Sequence, residues 1–254
     1  MRTPKLAVVC AAVLLALAGC GQVTEAGGAP AAATTAPADP TEQVNAAARK
    51  LEGSSFKFSI ESAGVKAEGV RHKPSESTQL KMTGEAEGQE FTIELIQIDA
   101  DMWMKMDLGL DPGDDETLQG LADAFGKWNH ISKEEAESSV GGLAKAGADA
   151  MGTEMVKGAS NLKETAPGTF TGTIDMTSNS DLDLTDDETL KALGDKAKAV
   201  PITITIDGEQ RLSSLVMEIP AAGAAKAQTA TIKFFDFENV EQPKAPPADQ
   251  VNEK

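Results

Sequence analysis

Tyrosine is absent from this chain, and its 254 residues hold only two tryptophans and eight phenylalanines. A surface that stacks bases or sugar rings draws on more aromatic faces than that. Basic residues are also few: 23 Lys and Arg stand against 40 Asp and Glu, for a formal charge of −17. With no basic stripe to neutralise phosphates, nucleic acid is excluded as a partner. The same charge opposes a body lying flat on anionic lipid, and the acidity reads as solubility. There are two histidines, His72 and His130, in separate predicted elements. A metal site takes three or four convergent ligands, so they read as surface or hydrogen-bonded histidines. Asp181, Asp183, Asp186 and Asp187 miss the spacing of a calcium loop. Counted from Asp181, the sixth position holds Asp186 instead of glycine and the twelfth holds Ala192 instead of glutamate. No Gly-x-Ser-x-Gly elbow or glycine-rich phosphate loop occurs. Ser54-x-x-Lys57 and Ser160-x-x-Lys163 match the Ser-x-x-Lys pattern of penicillin-interacting enzymes, but the companion Ser-Asp-Asn and Lys-Thr-Gly are missing. No catalytic constellation remains. An enzyme is not expected, and no cofactor or metal is called for.

Cysteine is nearly absent too, and its two positions are informative. After Arg2 and Lys5 an apolar stretch runs from Leu6 to Leu17 and contains Cys10. It is shorter than the about 20 residues that span a bilayer. It ends in Leu17-Ala18-Gly19-Cys20. A basic head, an apolar core and small residues form a secretory signal over residues 1–19. A cysteine directly after the small residues resembles the lipobox of bacterial lipoproteins, in which the thiol is diacylglycerylated and becomes the new N-terminus. Lipidation is therefore expected at Cys20, on the extracytoplasmic face of the cell membrane. Loss of residues 1–19 would remove Arg2 and Lys5 and no acid, taking the charge from −17 to −19. With Cys10 cleaved off and Cys20 acylated, no disulfide is expected, and stability must come from core burial. About 200 residues remain, enough for one domain with a sizeable core.

Residues 20–38 carry the acylated Cys and a Gly-, Ala-, Thr- and Pro-rich stretch with no apolar period, read as a flexible tether reaching about 20–25 Å. The folded domain is placed at residues 39–241, and a polar Pro-containing tail at 242–254. Asp39-Pro40-Thr41-Glu42 is a capping-box start. Val44, Ala47, Ala48 and Leu51 follow on one helical face, with Gly53 at its end. Phe56, Phe58 and Ile60 alternate with polar residues. Val65–Val70 reads as a weaker return strand, Leu80 and Met82 share a face, and Phe91, Ile93 and Leu95 alternate again. The phase slips at Ile96 and Ile98, which predicts a bulge or bend. Asp99-Ala100-Asp101 turns into the strand of Met102, Met104 and Met106. This succession predicts an antiparallel meander. Asp114–Phe125 reads as a short helix and Trp128–Ile131 as extended. Ser132-Lys133-Glu134-Glu135 opens a glycine-interrupted helical stretch that carries Val140, Leu143, Met151 and Met155. Thr169–Met176 reads as a strand, and Thr185–Glu188 caps a helix to about Lys198. Ile202, Ile204 and Ile206 face Leu215, Met217 and Ile219 across a hairpin signalled by Asp207-Gly208, and Gln228–Phe237 closes the sheet.

The remaining constellation is apolar. Phe56, Phe58, Ile60, Phe91, Ile93, Leu95, Met102, Met104, Met106, Ile202, Ile204, Ile206, Leu215, Met217 and Ile219 line strands. Val140, Leu143, Met151, Met155, Leu190 and Leu193 lie on helices opposite them. These residues either fill a core or, where the glycine-bearing helices fall short, line a cavity for acyl chains.

The order of parts resembles the actinobacterial LppX/LprA/LprF/LprG lipoproteins, which share a fold with the LolA/LolB carriers. The matching features are the lipobox at Cys20, the tether, the leading helix with Ser55-Phe56-Lys57-Phe58, and Met102-Trp103-Met104-Lys105. Trp128, the Asp207-Gly208-Glu209-Gln210-Arg211-Leu212 hairpin and Phe234-Phe235-Asp236-Phe237 before a Pro-rich tail complete the match, over roughly residues 40–245. The resemblance implies an α+β fold: a curved antiparallel sheet, or half-open β-barrel, with helices packed on the concave side around an apolar cavity. It implies a membrane-anchored lipoprotein that binds lipid or glycolipid acyl chains and carries them between membrane and envelope; the chain itself is expected to be a monomer. A membrane transporter is a candidate partner. The other reading is a non-enzymatic lipoprotein with a filled core that docks to a membrane or cell-wall partner.

Overall fold

The computed structural model describes residues 39–86, 88–109, 113, 116–132, 152–178, 187–223 and 225–252. Cys20 and the tether lie outside the described residues, as do Val140, Leu143 and Met151.

Asp39 begins the first helix, α1 (Pro40–Glu52), as the sequence requires. Its Oδ1 accepts from the backbone N–H of Thr41 at 2.7 Å and of Glu42 at 3.4 Å. These are orphan donors of the first turn. Val44, Ala47, Ala48 and Leu51 are buried on one face. The Gly53 N–H closes the last turn onto the Lys50 carbonyl.

Eleven strands follow. They are β1 (Phe56–Ser62), β2 (Val65–His72), β3 (Ser77–Ala86), β4 (Gln89–Ile98), β5 (Asp101–Asp107), β6 (Asn129–Ser132), β7 (Ala159–Ala166), β8 (Thr169–Ile174), β9 (Val200–Ile206), β10 (Leu212–Ile219) and β11 (Gln228–Phe235). They form one antiparallel sheet in the order β6-β5-β4-β3-β2-β1-β11-β10-β9-β8-β7. Two meanders, β1–β6 and β7–β11, are joined where β1 pairs with β11, with Phe58 opposite Phe234 and Ile60 opposite Ile232. The sheet is curved and unclosed, and a mixed α+β fold is built around it. Four α-helices are placed among the described residues: α1, α2 (Glu116–Phe125), α3 (Thr153–Val156) and α4 (Asp187–Leu193), the last running into a 3-10 turn at Gly194–Ala199.

Because alternate residues share a face, the register defines an inner face across the whole sheet. Phe58 leads through Gly69, Leu80 and Leu95 to Met104. Ile60 leads through Ala67, Met82 and Ile93 to Met106. In the other direction Ile232, Leu215, Ile204 and Phe170 continue it. Two glycines make room for rings on this face. A Cβ on Gly69 would strike the Phe58 ring and come within 2.5 Å of the Gln79 carbonyl oxygen, and one on Gly84 would meet Phe91 Cζ at 2.6 Å.

Several elements differ from the sequence reading. β4 pairs with β3 from Gln89 to Ala86 and from Ile98 to Ser77 without a break, so the phase slip at Ile96 is not a bulge. Ile96 is buried on the outer face beside Trp103. Both faces are covered there, which is why alternation fails. β11 does not close an edge but lies between β1 and β10. β7 stands where no strand is expected. The residues from Gln242 are polar, yet their end is held. The Trp128 N–H donates to the Gln250 carbonyl at 3.0 Å, and the Asn252 N–H donates to the Trp128 carbonyl at 2.8 Å.

Candidate functional site

The inner face divides into two halves. Over β8–β11 and β1 it is buried. Val44, Ala47, Ala48 and Leu51 of α1, and Met155 and Val156 of α3, join one core with Phe56, Phe58, Phe170, Ile202, Ile204, Ile206, Leu215, Met217 and Ile219, all buried. Leu193 and Ala197 after α4 close the same core. Toward the other meander the cover thins. Leu80, Leu95 and Met102 are still buried, but Ile60, Met82, Phe91, Ile93, Met104 and Met106 are only half-buried. Leu108, just past β5, is 38% exposed. Of the residues expected to line a cavity, then, eleven described ones sit in a continuous core: Phe56, Phe58, Leu95, Met102, Met155, Ile202, Ile204, Ile206, Leu215, Met217 and Ile219. Ile60, Phe91, Ile93, Met104 and Met106 form the half-covered remainder.

At one end of this face the row changes character. Phe56 pairs with Arg71, Arg71 with Thr78, Thr78 with Gln97 and Gln97 with Met102. Arg71 and Thr78 are buried. The sequence reading does not single them out. The available signal is parity: Arg71 follows Val65, Ala67 and Gly69 at steps of two, so a charged residue lands on the apolar face. Glu76, in the turn after β2, lies with its Oε2 3.9 Å from an Arg71 nitrogen and its Oε1 2.5 Å from Lys73 Nζ. The Lys73 hydrogen bond, aided by both positive charges, holds its carboxyl below the usual glutamate range.

The outer face carries different chemistry. Lys81, Glu94 and Lys105 lie side by side on β3, β4 and β5, with Lys105 Nζ 3.6 Å from Glu94 Oε1. Ala122 and Phe125 of α2 face them across a cleft of about 470 Å³, which Met106, Asp107 and Leu108 also line. The end of α2 thus borders the polar ladder of β3–β5. The Ala124 carbonyl near its end accepts from both Asn129 Nδ2 and Asn252 Nδ2 at 2.9 Å.

The serine and histidine candidates have ordinary partners. Ser54 Oγ donates to the Lys50 carbonyl, while Lys57 Nζ pairs with Asp236 at 2.8 Å. Ser160 Oγ meets Thr173 Oγ1. His72 Nδ1 is 2.7 Å from Ser75 Oγ, and His130 Nε2 is 2.8 Å from Asp101 Oδ1. Among the described residues no three His, Cys, Asp or Glu side chains converge as metal ligands, and no helix is long and apolar enough to cross a membrane. No protein-family model matches the chain, and no curated protein matches it significantly.

Proposed function

We propose that this protein is a lipoprotein anchored through Cys20 that binds the acyl chains of a lipid or glycolipid along the inner face of its sheet. It would carry them, without catalysis, between membrane and cell envelope. The observation that carries the reading is the uneven cover of a continuous apolar face. Residues of α1 and α3 are buried with it over β8–β11 and β1, while Ile60, Met82, Phe91, Ile93, Met104 and Met106 stay half-buried beside that core. Phenylalanine, isoleucine and pliable methionine side chains suit a chain of variable shape. Each buried methylene contributes about 0.8 kcal/mol, so a chain of about 16 carbons gains roughly 12 kcal/mol before ordering costs. The tether of residues 20–38 would let the body move above its anchor, and the acidic surface would oppose re-adsorption. With the lipobox and the order of elements, this supports kinship to the LppX/LprA/LprF/LprG lipoproteins.

Native mass spectrometry of the Cys20→Ser chain, made in a lipid-containing host, tests the reading. The expected spectrum contains protein with added lipid mass, and stripped protein regains it from supplied lipid. A chain that is lipid-free and takes up none sinks the proposal and favours a docking lipoprotein with a filled core.

A further inference from the structure

Sulfur is unevenly placed in this chain. Both cysteines lie within the first 20 residues, so methionine supplies all the sulfur of the folded part. Met102, Met155, Met176 and Met217 are buried members of the continuous core. Met82, Met104 and Met106 are only half-buried, and all three lie on the inner face. Met82 and Met106 flank Ile93 in the register, and Met104 sits beside Leu95. Cover falls away along β5. Met102 is 3% exposed, Met104 and Met106 are half-buried, and Leu108, next in the same parity, is 38% exposed. Met82 packs against the margin of the core.

Exposure decides which thioethers an oxidant in solution reaches. A peroxide reacts in one balanced step. A sulfur lone pair takes one peroxide oxygen and the O–O bond breaks. The departing hydroxide picks up the proton of the transferred oxygen and leaves as water. Sulfur is oxidised by two electrons, and the peroxide is reduced by two. The sulfoxide is polar and chiral where the thioether was apolar and pliable. On a face that takes up acyl chains, an S=O dipole covered by methylenes and given no donor opposes binding. The three residues lie at or beyond the margin of the buried core, so the fold itself should survive the change.

We propose that Met82, Met104 and Met106 form an oxidation site on the inner face. Peroxide converts them to sulfoxides ahead of the buried methionines, and the face then releases its acyl chain. The release rests on the lipid-binding reading, and it adds to that reading a means of control by oxidant.

Graded hydrogen peroxide added to the Cys20→Ser chain tests this, with sulfoxides located by peptide mass spectrometry and tetradecanoate affinity followed by titration calorimetry. Sulfoxide is expected at Met82, Met104 and Met106 while Met102, Met155, Met176 and Met217 stay thioethers and circular dichroism is unchanged. Tetradecanoate affinity falls about tenfold or more, and methionine sulfoxide reductases with dithiothreitol restore it. The triple variant M82L/M104L/M106L, a volume-conserving change, binds like the unmutated chain and keeps its affinity through the same treatment. Sulfoxide on buried and half-buried methionines alike overturns the site. So does undiminished affinity in protein oxidised at all three, or an equal loss in the triple variant. Each of these leaves lipid binding standing. Should the variant not fold, the reductases decide in its place: affinity that stays lost once the three sulfoxides are reduced overturns the site. Protein that binds no tetradecanoate before oxidation overturns the release together with the lipid-binding reading.

Discussion

Asp207 follows the last residue of β9, and its carboxylate organises the turn to β10. Oδ1 accepts from the backbone N–H of Glu209 and of Arg211, each at 2.9 Å. Oδ2 accepts from Arg211 Nε and lies 2.8 Å from Arg211 Nη2. The arginine, so held, stacks over the Phe237 ring at 4.0 Å and fixes the residues after β11 to the hairpin. Burial pushes the Asp207 carboxyl up, but the hydrogen bonds from Arg211 and Glu209 outweigh it and leave it below its ordinary value. A folded-state value below the unfolded one, about 3.9, adds stability that is present at neutral pH and is lost as pH falls through the folded value. D207N is expected to lower stability by about 1–2 kcal/mol at pH 7, with the difference from the unmutated protein shrinking below about pH 4. Urea midpoints across pH measure it; a difference that stays constant with pH would mean that the charge plays no part. The sequence pattern announces a hairpin at Asp207-Gly208 but not its length, because an aspartate that bonds to its own turn serves a five-residue connection as readily as a tight one. Arg71 is harder to read. Its parity is visible, yet charge on a strand is usually solvated, and only the register shows what lies beside it.

The elements were legible in proportion to how local their chemistry is. α1 announces itself because capping, helix-first proline and a four-residue apolar stripe are all short-range. β7 does not, because Ala159–Ala166 is an edge strand with two register shifts, exposed at most positions, so burial imprints no alternation on it. β6 lies on the other edge and is only four residues long. α3 has just four residues, too few to stand by propensity. Its start is supplied from another helix: Glu52, the last residue of α1, accepts through Oε1 from Thr153 N–H at 2.8 Å and from Thr153 Oγ1. Gly152 has φ +120, and any Cβ there would strike the Glu52 side chain. This clasp sets Met155 and Val156 into the core. E52A removes the cap acceptor and is expected to cost about 1–2 kcal/mol. Thermal unfolding measures it; an unmoved melting temperature would mean that the clasp carries no stability.

At the scale of the molecule, strand order is the part that periodicity does not encode. Alternation marks β11 as a strand, but its place in mid-sheet depends on a register with β1, at the far end of the chain. The split of the inner face into buried and half-covered halves is likewise a property of the assembled sheet: Ile204 and Ile93 look alike in sequence. The last residues act as a brace across the same distance. They leave β11, reach the β6 edge and bond to Trp128, which is 8% exposed, while Asn252 meets Asn129 Oδ1 and the end of α2. Removing residues 248–254 is expected to destabilise by about 2–3 kcal/mol, through lost hydrogen bonds and an uncovered indole. Lower melting temperature and red-shifted tryptophan emission report it; an unmoved emission maximum argues that the brace does not shield Trp128. The seam between β1 and β11 also has a consequence for biogenesis. Since chains fold as they are made, N-terminal part first, the phenylalanine-bearing flank of β1 emerges long before its mate is synthesised. Until Gln228–Phe235 arrives, that flank is a raw edge open to strangers, and the slowest event in maturation should be the late zipping of the last strand onto nearly the first.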